Sequence, residues 1–401
     1  MMDGRHHRKA GKAGIAGVSV LATAVVALGA GSASAAPGDS WLTARGSDLR
    51  NGQARNETVI TKSSISRLAP VWTAPGLSVE GTEAIVNGNA VYVVTTDSKL
   101  RRLRVSNGSI VWTTTLAGRG ETPTLDGDTV YAIGGSRVKA VRAADGDPRF
   151  NVAVPRSCGD GFVCDSGLGV ESGRVVVGNG SLLSVLNGSN GAVLSTTDVA
   201  AADPDSNGGG TPGIDRNGAA WYSFKFTGTA PVPPSTANPV PVPKVSGNGH
   251  STALITGGRV FTTGVNQGIH AFNVNTGAKA DFAPNAIGQH ENLATDGTRL
   301  FDVTFENGVR TLTAYNLSNG AVVWTRTGAH TAPLAVNGMV IVGENRDGLA
   351  VYDAASGALL RRVAGVARGA DPIVVGGRVF VGFSAGAVPA GSTPPLTMLG
   401  V

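Results

Sequence analysis

Asn87-Gly88 followed by Ala90-Val91-Tyr92-Val93 decides the fold: a two-residue turn runs straight into an alternating apolar strand. Asn-Gly accepts the positive φ of a type I′ turn, whose twist matches a pair of antiparallel strands. The unit returns as Asp126-Gly127 before Thr129-Val130-Tyr131, then at Ser172-Gly173, Asn217-Gly218, Gly257-Gly258, Asp296-Gly297, Asn337-Gly338 and Gly376-Gly377. The second glycines stand 39, 46, 45, 40, 39, 41 and 39 residues apart. A fixed period of this size marks a repeat architecture. A second turn follows inside most repeats, at Asn107-Gly108, Asp145-Gly146, Asn190-Gly191, Thr276-Gly277, Asn319-Gly320 and Ser356-Gly357. Two hairpins per repeat make four strands, and four antiparallel strands repeated radially make a propeller blade. The sequence has neither the helices nor the parallel rungs of a solenoid.

The expected fold is all-β: one propeller of four-stranded antiparallel blades, eight of them with seven as the alternative, closed by an N-terminal strand. That strand is Leu68-Ala69-Pro70-Val71-Trp72-Thr73, which matches the outer strands at Gly108–Thr113 and Gly320–Thr325. The last repeat, from Ala370, has room for about three strands and would take it as the fourth. The repeat over 211–250 is poorly formed, with a proline-rich insertion at 230–243. Proline cannot donate to a strand ladder, so this stretch reads as an extended loop.

Residues 1–35 read as a signal peptide. Arg5, Arg8, Lys9 and Lys12 precede an apolar run from Ile15 to Gly31, and Ala33-Ser34-Ala35 is a small-residue cleavage site before Ala36. A transmembrane anchor is the competing reading; the run is short and rich in Ala and Gly. No Cys follows the cleavage site and no later run could span a bilayer. The mature chain, 36–401, is then expected outside the cytoplasm, extracellular or periplasmic. The formal charge of +5 falls to near +2 once the leader is removed. Without a basic stripe interleaved with aromatics, nucleic-acid binding is not indicated. Cys158 and Cys164 are the only cysteines, and in an oxidising compartment they are expected to form a disulfide. So small a closed loop is worth about 2 kcal/mol on the chain-entropy argument.

The repeat resembles that of the quinoprotein (PQQ-like) propellers, which ends in a Gly-x-x-x-Trp strand. Here it reads Val105-Ser106-Asn107-Gly108-Ser109-Ile110-Val111-Trp112, and again Leu317-Ser318-Asn319-Gly320-Ala321-Val322-Val323-Trp324. The opening segment is similar too: Trp41, Arg45-Gly46-Ser47-Asp48, Ile65-Ser66-Arg67-Leu68 and Val71-Trp72. The resemblance covers nearly the whole mature chain and implies the propeller fold. Its family includes quinone-dependent alcohol and sugar dehydrogenases and the cofactor-free outer-membrane assembly factor BamB. The alcohol dehydrogenases carry adjacent cysteines at the quinone, whereas the two here are separated. A carboxylate and amide set for the accompanying calcium is not evident. The resemblance is therefore BamB-like rather than catalytic.

The expected function is a secreted, monomeric binding or scaffold propeller that presents loops to an extracellular protein, a glycan or a small ligand, without a cofactor or metal. The alternatives are a PQQ- and calcium-dependent oxidoreductase, and a hydrolase or lyase at the channel mouth. No nucleophile elbow, zinc-protease motif or phosphate loop appears. One pattern suggests a site. The histidines His250, His290 and His330 recur every 40 residues, in the loops that lead into innermost strands. Related positions hold Glu80, Arg119 and Asp165, with Glu121 and Glu291 beside them. These eight residues form the candidate ligand set at the channel mouth. The alternative is that the histidines only bond neighbouring backbone.

Overall fold

The protein was examined as a computed structural model. It describes residues 40–401 except 48–49, 80, 157–165, 172, 181, 199–211, 215–219, 225–227, 233–251, 265–267, 277, 387 and 389–391. The leader, the Cys158/Cys164 pair, His250, Glu80, Asp165 and most of the proline-rich insertion lie outside the described residues.

The turn dipeptides among the described residues reverse the chain between the first and second strand of a sheet. Ile85–Asn87 and Ala90–Thr95 flank Gly88, whose φ is +55°. Lys99–Arg104 and Ile110–Thr115 complete that blade in simple antiparallel order. The same order recurs around the molecule, and seven sheets have four or five strands. The expectation of eight four-stranded blades is therefore corrected to seven. Between the third and fourth of them in sequence lies a three-stranded sheet, Gly213–Ile214, Ala220–Phe224 and Gly228–Val232. Pro231 lies in the last of these strands, where it brings no N–H to a ladder.

The expectation of one closing N-terminal strand is corrected as well, since the N-terminal stretch is shared between two sheets. Ser40–Trp41 adds a strand to the inner edge of the first blade, with Trp41 opposite Val86. Ala69–Ser78 pairs with Pro395–Gly400 in the last blade, Ala69 opposite Gly400 and Thr73 opposite Thr397.

Second strands such as Ala90–Thr95, Thr129–Gly134 and Met339–Glu344 are buried along their whole length, because blades cover both faces. Three outer strands, Ile110–Thr115, Pro148–Ala153 and Val322–Thr327, bury one ring each. Trp112, Phe150 and Trp324 pack on the second-turn glycine of the following blade, where a Cβ at Gly146, Gly191 or Gly357 would stand 2.6–2.9 Å from the ring. The indole Nε1 of Trp72, Trp112 and Trp324 also donates across the blade boundary, to the carbonyls of Val105 (2.7 Å), Ala143 (3.1 Å) and Ala354 (3.0 Å). The Gly-x-x-x-Trp spacing thus places each blade's ring on its neighbour's turn, where the large apolar area and the satisfied N–H both favour association.

Candidate functional site

Inner strands of a propeller converge on its axis, and here a strap of chain, residues 41–60, crosses it. Main-chain bonds tie the strap to different blades. Leu42 accepts from the Leu125 N–H (2.8 Å), Asn51 from Thr295 (3.0 Å) and Gly52 from Ala335 (2.9 Å). The Glu57 carboxylate accepts from the Gly377 N–H at 3.0 Å. Two fully buried arginines pin the strap. Arg45 pairs with the Glu83 carboxylate at 3.1 Å and donates to the carbonyls of Leu293 (3.0 Å) and Pro333. Arg50 donates to the carbonyls of Ala44 (2.8 Å), Pro212 (3.0 Å) and Leu168 (3.1 Å) and to the Thr43 hydroxyl. A guanidinium has five N–H donors in a fixed fork, so it can stay charged in the interior only where carbonyls and carboxylates surround it.

A second device ties the blades together just before each inner strand. The N–H of Glu83 donates to the Thr122 hydroxyl (2.8 Å), that of Thr252 to Asn292 Oδ1 (2.9 Å) and that of Ala332 to Asp371 Oδ1 (2.9 Å). In each case the polar side chain comes from the next blade, 39 or 40 residues on. Thr122, Asn292 and Asp371 thus bond the backbone of the preceding blade.

The third member of that series, Asp371, also lines a cleft of about 380 Å³ at the loops preceding the inner strands. Arg310, His330, Arg368 and Glu291 form its walls, with Asn292, Thr331 and Thr393 between them. Among the described residues no Val, Leu, Ile, Phe, Tyr or Trp lines it. Arg310 is paired with Glu291 and lies over the Phe305 ring. Arg368 donates to Asn345 Oδ1 (3.2 Å) and the Ser392 carbonyl (2.5 Å), both uncharged, and its buried Nε has no partner among the described residues. Burial, with Arg310 and Arg368 adding to it, holds His330 below the ordinary histidine pKa. Burial pushes the Asp371 carboxyl up to about 7; Arg45 opposes the rise, and Glu83 and Glu291 support it. The cleft therefore offers two guanidiniums, an imidazole that tends to stay neutral, and a carboxyl that exchanges its proton near neutral pH.

The candidate residues distribute unevenly over this geometry. Glu291 and His330 do meet in the cleft. His290 does not. Its side chain is fully buried, with Nδ1 2.7 Å from Asp302 Oδ2. Burial disfavours its charged form, but the Asp302 carboxylate more than offsets this and raises its pKa. Arg119 is exposed and lines a separate small cavity with Thr82 and Thr95, across Gly81 from the cleft. Glu121 is half-buried nearby, its N–H donating to the Ile133 carbonyl at 3.3 Å. Sequence reasoning missed Arg310, Arg368 and Asp371. Asp371 could have been found, since it stands six residues before Gly377 as Glu291 stands before Gly297. Among the described residues no three His, Cys, Asp or Glu are grouped to hold a metal ion. Nor is any helix among them long and apolar enough to cross a membrane.

Radial four-stranded blades bound by aromatic-on-glycine contacts define a β-propeller, with a polar cleft at the mouth of its axis. The family model described as outer membrane protein assembly factor BamB matches residues 67–280 and 266–393, and the chain belongs to that PQQ-like propeller family. No curated protein matches the sequence. Among solved structures, quinohemoprotein alcohol dehydrogenase from Comamonas testosteroni is similar with a TM-score of 0.72 at 12% identity, over 91% of this chain and 81% of that one. The quinohemoprotein alcohol dehydrogenase ADHIIG from Pseudomonas putida HK5 gives 0.69 at 12% identity, over 91% and 80%. The computationally designed Ika8 protein gives 0.65 at 13% identity, over 83% and 99%. At such identities the likeness is one of fold.

Proposed function

We propose that the mature chain is an exported binding propeller that holds a small hydrophilic ligand in the cleft of Arg310, His330, Arg368 and Asp371. The lining carries this reading. A pocket of about 380 Å³ with only polar side chains and glycine stays hydrated, and it rewards a ligand that replaces water's hydrogen bonds. The leader at 1–35 supports export, and the expected Cys158–Cys164 bond fits the same compartment.

The quinone reading fits these residues poorly. A planar aromatic cofactor needs an apolar or aromatic wall, and the cleft's lining has none. Of the cleft's two carboxylates, Glu291 is held by Arg310 and Asp371 caps a backbone N–H. Neither is disposed to share a calcium ion, which takes six to eight oxygens. Among the described residues no hydroxyl of the cleft is hydrogen-bonded to His330, Glu291 or Asp371, so the hydrolase or lyase reading finds no paired nucleophile and base there. The test is direct. Thermal-shift and calorimetric titrations of the purified mature protein should reveal a hydrophilic small ligand in a panel of sugars, polyols and sugar acids. Calcium with PQQ should add neither a bound-quinone absorption band nor dye-linked alcohol oxidation. Quinone uptake with turnover would replace this reading by the oxidoreductase one.

A further inference from the structure

We infer that the cleft selects an oxyanion: a carboxylate on a small hydroxylated skeleton, held by Arg368 and Arg310 beside His330. This rests on the small-ligand reading above and narrows it to a chemical class.

Arg368 carries the argument. Arg45 and Arg50 lie deeper in the fold and each meets several acceptors: Arg45 the Glu83 carboxylate and two carbonyls, Arg50 three carbonyls and the Thr43 hydroxyl. Arg368 sits in a solvent-reached cleft and meets only an amide oxygen and one carbonyl, with no carboxylate paired to it among the described residues. Its acidic neighbours are already engaged: Glu291 by Arg310, and Asp371 by the Ala332 N–H. The positive field this leaves is registered by His330, which burial and the two arginines together hold toward its neutral form. A carboxylate offers two oxygens to a guanidinium fork, and such bidentate pairs are short and directional. Glu291 leaves Arg310 only part of its fork, so Arg368 is the principal anchor and Arg310 the secondary one.

The remaining lining indicates what carries the carboxylate. Asn292, Thr331 and Thr393 offer hydroxyl and amide groups, and Gly81 and Gly369 let main chain approach closely. That suits hydroxyls rather than hydrocarbon. Asp371 adds a condition. It is faced by Arg45 and Glu83 from below, and in the cleft by Glu291, Arg310, His330 and Arg368. Near neutral pH its carboxyl can keep a proton and donate to the incoming anion, as two carboxyls sharing one proton do. Binding should therefore weaken as pH rises through about 7.

The test uses the intact mature protein and four probes: D-glucuronate, D-gluconate, inorganic phosphate and D-glucose. Glucuronate or gluconate should raise the melting temperature in a saturable way, and glucose should bind at least tenfold more weakly. Phosphate separates a general oxyanion site from a carboxylate site and should bind more weakly than the sugar acids. Arg368→Gln should weaken sugar-acid binding at least tenfold, and Arg368→Lys should restore part of it. A melting temperature near wild type would show that both variants fold. An oligogalacturonide tells a free acid from the end of a polymer: competition with glucuronate assigns a chain terminus, and none assigns the free acid. Equal binding of glucose and glucuronate, or an Arg368→Gln variant with wild-type affinity, overturns the oxyanion assignment while leaving the small-ligand reading intact. If all four probes and the wider panel of neutral sugars fail to bind, both readings fall.

Discussion

Two sets of arginines stand at the axis of this propeller, and they meet opposite surroundings. Arg45 and Arg50, in the strap, are wrapped by carbonyls and the Glu83 carboxylate. Arg310 and Arg368, in the cleft, face a polar cavity with their charge only partly met. The same side chain is structural where the protein surrounds it with several carbonyls and, at Arg45, a carboxylate, and available for recognition where it meets few acceptors. The contrast can be broken by substitution, because an arginine of the first kind should cost stability and one of the second kind should cost binding.

The largest effect is expected at Arg45. Arg45→Met leaves Glu83 charged and buried, and breaking a buried pair in this way costs about 3–5 kcal/mol. Denaturant melts should show a strongly lowered midpoint, and a midpoint within error of wild type would remove the strap from the stability argument. A smaller loss is expected at Gly52, which has φ +57° and where a Cβ would stand 2.3 Å from Arg45 Nη2 and 3.0 Å from Ala294 Cβ. Gly52→Ala strains the backbone and displaces the guanidinium, together worth about 2–4 kcal/mol. If it melts like wild type, Arg45 is held less tightly than its contacts imply.

On the cleft side the expected effect is a change of pH dependence. Asp371 has an unfolded pKa of about 3.9 and a folded one of about 7. The folded state therefore binds the proton more tightly, and stability from this group is lost as pH rises from about 4 to about 7. Asp371→Asn keeps an oxygen for the Ala332 N–H but cannot ionise. The variant should gain on wild type progressively across that window and hold the gain above it. Thermal melts from pH 4 to 8 decide this, and parallel profiles would mean that Asp371 ionises normally.

The sequence made the blades legible because their causes are local. Each Asn-Gly or Asp-Gly turn needs only its own φ, and each buried second strand its own apolar run. What the Gly-x-x-x-Trp pattern does not disclose is that the ring sits on the next blade's glycine. The histidine pattern misled for a related reason. His330 stands eight residues before Gly338, but His290 only seven before Gly297. In extended chain a one-residue offset turns the side chain to the opposite face. His290 accordingly turns in to Asp302, and Glu291 takes the place in the cleft. The blade count failed at 211–250, where the turn dipeptide Asn217-Gly218 reads like the others but the described residues form three strands. The strap was invisible because residues 41–60 have no period and its partners are scattered across the chain.

That scatter has a kinetic side. Arg45 bonds to carbonyls 248 and 288 residues further along the chain. Contacts of such separation carry a large loop-closure entropy, and they form only after the intervening sheets exist to bring the ends together. The strap is translated before every blade, yet its bonds to Leu293, Pro333, Ala335 and Gly377 wait until the later blades exist. Until then its two guanidiniums keep it in water rather than in premature apolar contacts, so the segment made first docks among the last.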